Sequence, residues 1–201
     1  MALISKPEHI EHAITAMRQF SRRDFLKVAS ASLGVATVGL AGLSLPASAA
    51  ATVPAGIRFM GEADYKVFHK LMLASLPVAG TPLASLEQIP VIATLDAALL
   101  GGMEPHVLNG LKQGIAFFEQ GPVKRYSKPF SQLSDQEAAT FCDAWEDSAD
   151  ATQRGLTTGL KKLVALAYWA NPPTWAALGY DGPVSTRWGL QALGNAPMPT
   201  E

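Results

Sequence analysis

From Glu62 onward, apolar residues recur at intervals of three and four, a period that predicts helices. Tyr65, Phe68, Leu71, Met72 and Leu76 make one stripe, broken by the stretch Pro77 to Pro82. A second helix is expected over Leu86 to Leu100, with Ile92, Leu95, Ala98 and Leu99 as its apolar face and Gly101-Gly102 as its stop. Pro90 fits that helix only near its first turn. A third opens at Glu104-Pro105 and carries Val107, Leu108, Leu111, Ile115 and Phe118 on one side before Gly121-Pro122. After a loop from Val123 to Phe130, Ser134-Asp135-Gln136-Glu137 has the spacing of a capping box, in which serine and glutamate each satisfy an orphan amide. That box opens a helix bearing Ala138, Phe141, Cys142 and Trp145. The fifth and longest runs from about Asp150 to Ala170, and Asn171-Pro172-Pro173 stops it. No strand-like alternation occurs, and Ala and Leu far outnumber Ile. The expected fold is therefore an all-α bundle of about five helices, ending in an irregular tail rich in Gly and Pro.

The pattern ahead of Glu62 is different. No charge lies between Lys27 and Arg58, and Val28 to Leu45 is an apolar run diluted by Ser30, Ser32, Gly34, Thr37, Gly39, Gly42 and Ser44. At about 18 residues it is near the lower limit for crossing a bilayer. No polar face recurs in it at helical spacing, as an amphipathic core helix would require. Directly before it stands Ser21-Arg22-Arg23-Asp24-Phe25-Leu26-Lys27. A paired arginine, an apolar residue two places on and a moderately apolar run together form the pattern of a twin-arginine export signal. Ala47 and Ala49 provide a small-x-small cleavage site. The chain thus divides into an expected leader, residues 1–49, and an expected helical domain, residues 50–201, with Thr52 to Gly61 read as an extended, exposed lead-in. The expected location is the periplasm, reached through the twin-arginine translocase as an already folded protein. An uncleaved anchor is the alternative reading of the same run.

From Arg58 onward there are eleven Lys or Arg and fourteen Asp or Glu, so this part is slightly acidic. Nucleic acid needs a basic patch to neutralise its phosphates; the best local candidate, Lys124-Arg125 with Lys128, is short and lies in a proline-flanked loop. No nucleic-acid partner is expected. A single cysteine, Cys142, excludes an internal disulfide. It is a buried small residue, a free thiol or half of a bridge to another chain.

Residues suited to catalysis do not assemble in the sequence. His69 and His106 fall on different helices, and neither has a histidine or carboxylate three or four places on. There is no Gly-x-Ser-x-Gly elbow, no Cys-x-x-Cys-His haem attachment, and Gly101-Gly102 follows a helix where a dinucleotide turn would follow a strand. Asp143 beside Cys142 would raise the thiol pKa. The acids Asp143, Glu146, Asp147 and Asp150 read as a solvated helix end. What stands out instead is the stretch from Tyr168 to Pro183, which holds Tyr168, Trp169, Trp175 and Tyr180, followed by Trp188. Such rings either close one end of a small bundle or meet a partner, since aromatics are enriched at interface hot spots. Trp169, Trp175, Tyr180 and Trp188 are the candidate contacts.

The elements Tyr168-Trp169-Ala170-Asn171-Pro172, Trp175-Ala176-Ala177-Leu178-Gly179-Tyr180 and Gly182-Pro183 after a long helix resemble the end of gluconate 2-dehydrogenase subunit 3 proteins. The Phe130-Ser131-Gln132-Leu133-Ser134 turn before a helix and the twin-arginine leader match that family as well. The resemblance covers most of the chain, although only the C-terminal element is distinctive. It implies a non-catalytic small subunit of a periplasmic FAD-dependent dehydrogenase acting on sugars or alcohols. The implied partners are a GMC-type flavoprotein that lacks its own leader and a multihaem cytochrome c. In such a complex this chain binds no cofactor; the FAD sits in the catalytic subunit and haem c in a third. Catalytic, cofactor-binding and metal residues are accordingly none. A stand-alone helical ligand-binding protein is the competing reading, and it calls for a closed apolar pocket.

Overall fold

A computed structural model of the protein describes residues 7–19 and 53–189. The fold is all-α, with no strand among the described residues. The helices are α1 (Pro7–Gln19), α2 (Glu62–Ser75), α3 (Val91–Thr94), α4 (Pro105–Gln120), α5 (Val123–Tyr126), α6 (Asp135–Glu146), α7 (Ala151–Trp169) and α8 (Val184–Arg187). A single widened π turn, Leu95–Leu100, continues α3, and short 3-10 turns occupy Phe130–Gln132, Pro172–Thr174 and Ala176–Leu178. None of the described helices is long and apolar enough to cross a membrane.

The central element is α7, which packs on α1, α2, α3, α4 and α6. Its buried residues, among them Leu156, Thr157, Leu160, Leu163, Val164, Ala167 and Tyr168, lie around more than one face, as a helix at the middle of a bundle requires. Asp150 caps its start, accepting hydrogen bonds from the backbone N–H groups of Thr152 at 2.7 Å and Gln153 at 3.4 Å. The capping box at α6 is formed as the spacing predicts: Glu137 N–H donates to Ser134 Oγ, and Ser134 N–H donates to Glu137 Oε2. Phe118 from α4 meets Phe130, Phe141 and Trp145 edge-on, with ring centroids 4.6, 5.3 and 5.4 Å away. These rings fill the space between α4 and α6.

Two features depart from the expected arrangement. The helix expected over residues 86–100 is reduced to α3 and the π turn. Pro90 is its N-cap, outside the first turn, and the turn widens so that Gly101 N–H donates to Asp96 O, five residues back. That geometry goes with a buried carboxylate, Asp96. Its Oδ2 accepts from Arg58 N–H at 2.8 Å, and its Oδ1 from Phe59 and Met60 N–H at 2.9 Å each. The lead-in to α2, expected to be exposed, is thereby fastened to the core, and Met60 is buried.

The second departure is α1. It lies inside the expected leader, yet Ile10, Ala13, Ile14 and Met17 are buried in the core. Burial of Ile10, Ile14 and Met17 stabilises the docked helix by about 2 kcal/mol each on transfer alone. α1 thus shares the core of the helices after residue 53 and supplies a fifth long helix in place of the shortened segment 86–100.

Asp96→Ala is expected to lower the stability of the fold by on the order of 3 kcal/mol, because three backbone donors lose a charged acceptor in a buried site. Asp96→Asn, which keeps one acceptor oxygen, is expected to lose less. Urea unfolding followed by circular dichroism measures both.

Candidate partner interface

The aromatic C-terminal stretch begins where α7 runs out of helix. Asn171 faces inward, and its Nδ2 donates to Ala167 O at 2.7 Å and Thr94 Oγ1 at 3.3 Å. Thr174 Oγ1 donates in turn to Asn171 O at 2.8 Å. Pro172–Thr174 then forms a 3-10 turn. Tyr168 is fully buried, and its hydroxyl donates to Ala84 O at 2.7 Å, pinning the connection between α2 and α3. Trp169 lies edge-on to Tyr168, with centroids 4.9 Å apart. The Nε1–H of Trp175 donates to Trp169 O at 2.7 Å, and its ring meets Tyr180 at 5.1 Å. Gly182, at φ +101, lets the backbone pass close to the Trp175 ring.

The four candidate contact residues thus divide. Trp169 and Trp175 are half-buried; each ring meets a tyrosine edge-on, and the Trp175 Nε1–H is used within the chain. Tyr180 is 39 % exposed, and Trp188, beyond α8, is 71 % exposed. Leu178 and Val184 are also among the exposed apolar residues of this segment. Large apolar side chains gathered on one exposed segment mark surface suited to a partner. The large apolar residues that this segment exposes are Leu178, Tyr180, Val184 and Trp188.

Cys142 sits on the inner face of α6 and is buried. Burial pushes its thiol up to about 12; Glu146 and Asp143 add to that rise, and the Lys161 ammonium opposes it. A bridge to another chain needs Sγ at the surface, which is not where α6 puts it. The export-signal residues Ser21, Arg22, Arg23, Phe25, Leu26 and Lys27, and the cleavage residues Ala47 and Ala49, lie outside the described residues.

Several other titratable groups are held in local structure. His69 is half-buried beside Tyr65, with ring centroids 5.8 Å apart. Its pKa lies below the usual imidazole range, chiefly through burial and also through Lys70, with Asp135 acting the other way. Glu146 pairs with Lys161 at 2.9 Å, and Asp150 caps α7. Among the described residues no three His, Cys, Asp or Glu side chains converge as a metal site requires. A cleft of about 460 Å³ between α1 and the start of α4 is lined by Glu11, His12, Thr15 and His106, but it opens to solvent.

Sequence reasoning misses two structural sites. Asp96 is one, and nothing in its immediate neighbours marks it. The other is α1, and here a signal exists: Ile10, Ala13, Ile14 and Met17 recur at helical spacing, as do Gly110 and Gly114, and Gly155 and Gly159. Compared with family profiles, curated proteins and solved structures, the chain has no match.

Two measurements check this partition. Cys142 in the native protein is expected to resist a thiol reagent at pH 8 and to react in urea; full reaction without denaturant would show that α6 opens. Trp188→Ser is expected to change stability by less than about 0.5 kcal/mol. Trp175→Ser is expected to cost on the order of 2 kcal/mol, through lost ring burial and its hydrogen bond.

Proposed function

We propose that this chain is the non-catalytic small subunit of a periplasmic FAD-dependent sugar or alcohol dehydrogenase, of the gluconate 2-dehydrogenase subunit 3 type. The observation that carries the reading is one of pairing: a twin-arginine pattern at Arg22-Arg23 precedes a helical domain whose C-terminal segment exposes Leu178, Tyr180, Val184 and Trp188. A signal for export of folded protein is useful to a second chain only if the two are joined before transport. An exposed apolar segment anchored by Trp175 and Asn171 is a physical means of joining them.

In this reading the flavoprotein folds around its FAD in the cytoplasm and docks on the 178–188 segment. Arg22-Arg23 then directs both chains to the translocase. Hydride transfer from the sugar or alcohol to the flavin belongs wholly to the partner. A cytochrome c subunit takes the electrons onward. The contribution of this chain is to bind, to stabilise and to address, so no side chain of its own needs to touch the substrate. Its own motif Tyr168-Trp169-Ala170-Asn171-Pro172 serves to build the platform, through the hydrogen bonds to Ala84 and Thr94.

The test is co-expression with a leaderless FAD-dependent dehydrogenase. Periplasmic flavoprotein is expected with the wild-type chain and not with Arg22→Lys combined with Arg23→Lys. Equal periplasmic flavoprotein with both forms would reject the export role. Trp188→Ser is expected to weaken co-purification of the two proteins while leaving this chain folded.

A further inference from the structure

The helix that precedes Trp188 is too short to hold itself in place. α8 spans four residues, Val184–Arg187, far fewer than a helix needs to persist alone in water. Its backbone is closed by hydrogen bonds from Arg187 N–H to Pro183 O at 3.2 Å and from Trp188 N–H to Val184 O at 2.9 Å. Glycines at positive φ stand on either side, Gly182 at +101 and Gly189 at +61, where the backbone turns most freely.

A side chain ties this helix to the body of the protein. Arg187 Nη1 lies 3.1 Å from each carboxylate oxygen of Asp181. Asp181 stands between Tyr180 and Gly182, and both of these neighbours lie against the Trp175 ring. Trp175 is in turn held by its hydrogen bond to Trp169 O at the end of α7. A continuous line of contacts therefore runs from α7 through Trp175 and Asp181 to Arg187, and the next residue is Trp188, largely in solvent. Both members of the ion pair are more than half exposed. A pair so placed adds little to global stability, but it is enough to bias a local equilibrium. It also leaves the exposed face of Leu178, Val184 and Trp188 without net charge.

From this geometry we infer that Asp181 and Arg187 are positioning residues of the docking segment. Their ion pair presets α8, so that the Trp188 ring is presented already oriented to an uncharged apolar pocket on the partner flavoprotein. The identity of that partner rests on the proposed function; the preset geometry does not. A segment that is placed only part of the time binds more weakly in proportion to that fraction. Losing an exposed ion pair of ordinary strength lowers the placed fraction on the order of threefold.

The experiment uses the full chain labelled with 5-fluorotryptophan and a purified leaderless FAD-dependent dehydrogenase. The variants are Asp181→Asn, Arg187→Gln, the two combined, and Trp188→Ser, which identifies the Trp188 fluorine resonance by its loss. In the chain alone, that resonance is expected to move toward its unfolded position in each ion-pair variant, with thermal unfolding unchanged. Affinity for the dehydrogenase is expected to fall on the order of threefold in each single variant and no further in the double, because either change breaks the same bond. At about 1 M salt, which screens exposed charges, wild type and variants should converge. An unmoved Trp188 resonance in Asp181→Asn and Arg187→Gln would overturn the inference. So would additive losses in the double variant, which would mean that each charge meets the partner separately. If Trp188→Ser binds as tightly as wild type, the segment is not the docking site, and the proposed interface fails together with this inference. If Trp188→Ser weakens binding and the ion-pair variants do not, the interface stands and the preset alone is wrong.

Discussion

The Asp96 carboxylate accepts three consecutive backbone N–H groups from Arg58, Phe59 and Met60, and much of the bundle is positioned around it. A buried carboxylate needs hydrogen-bond donors to replace the water it loses, and these three aimed N–H groups supply them. Satisfying it requires the 58–60 segment to lie against the π turn, and this fixes where α2 begins. The same short stretch carries Thr94, which accepts from Asn171 at the end of α7. One charged residue and its neighbour thus link the lead-in to α2, the turn at 95–100 and the start of the aromatic segment. The π geometry is the form the chain takes when these attachments are met together.

Around that fastening, the packing is governed by how closely other helices can approach α7. On one side Leu160, Leu163, Val164 and Tyr168 are buried against the other helices. On the side facing α1, glycines replace them, and the spacing tightens. The difference in side-chain volume on one helix lets α1 approach more closely while belonging to the same core. Two kinds of surface residue are found near the C-terminus. Trp175 is locked by its hydrogen bond to Trp169 O, whereas Trp188 stands beyond the last short helix, largely in solvent.

Helical periodicity makes α2, α4, α6 and α7 legible, because each has an apolar stripe of ordinary length and a recognisable stop or cap. Ser134 and Glu137 mark the start of α6 to the residue. The segment 86–100 misleads because periodicity counts side chains and cannot see a carboxylate that must turn inward to meet a distant backbone. Spacing leaves Cys142 open among three fates, and the inner face of α6 places it among buried residues. The rings from Tyr168 to Trp188 are recognisable as a group, but their division into internal and exposed members depends on hydrogen bonds to Ala84, Thr94 and Trp169. Those partners lie too far away, or on main-chain atoms, for spacing to reveal. The stripe of α1 is legible too, but the twin arginine and the apolar run beyond it mark the whole region as a leader and mask the helix.

Docking of α1 has a topological consequence for the export pattern. With α1 seated at one end and the Asp96-bound segment 58–60 at the other, residues 20–52 are tethered to the folded domain at both ends. For a chain held at both ends, the entropic cost of closure rises only slowly with length, by about 0.6 kcal/mol for each doubling. Its mechanics are less forgiving. Tension applied to the loop at its N-terminal anchor falls on the carbonyl end of α1 held by Lys162, which must yield before the rest of that helix can peel away. A pull on the chain from that side is thus passed to α7 through the two carbonyls held by Lys162.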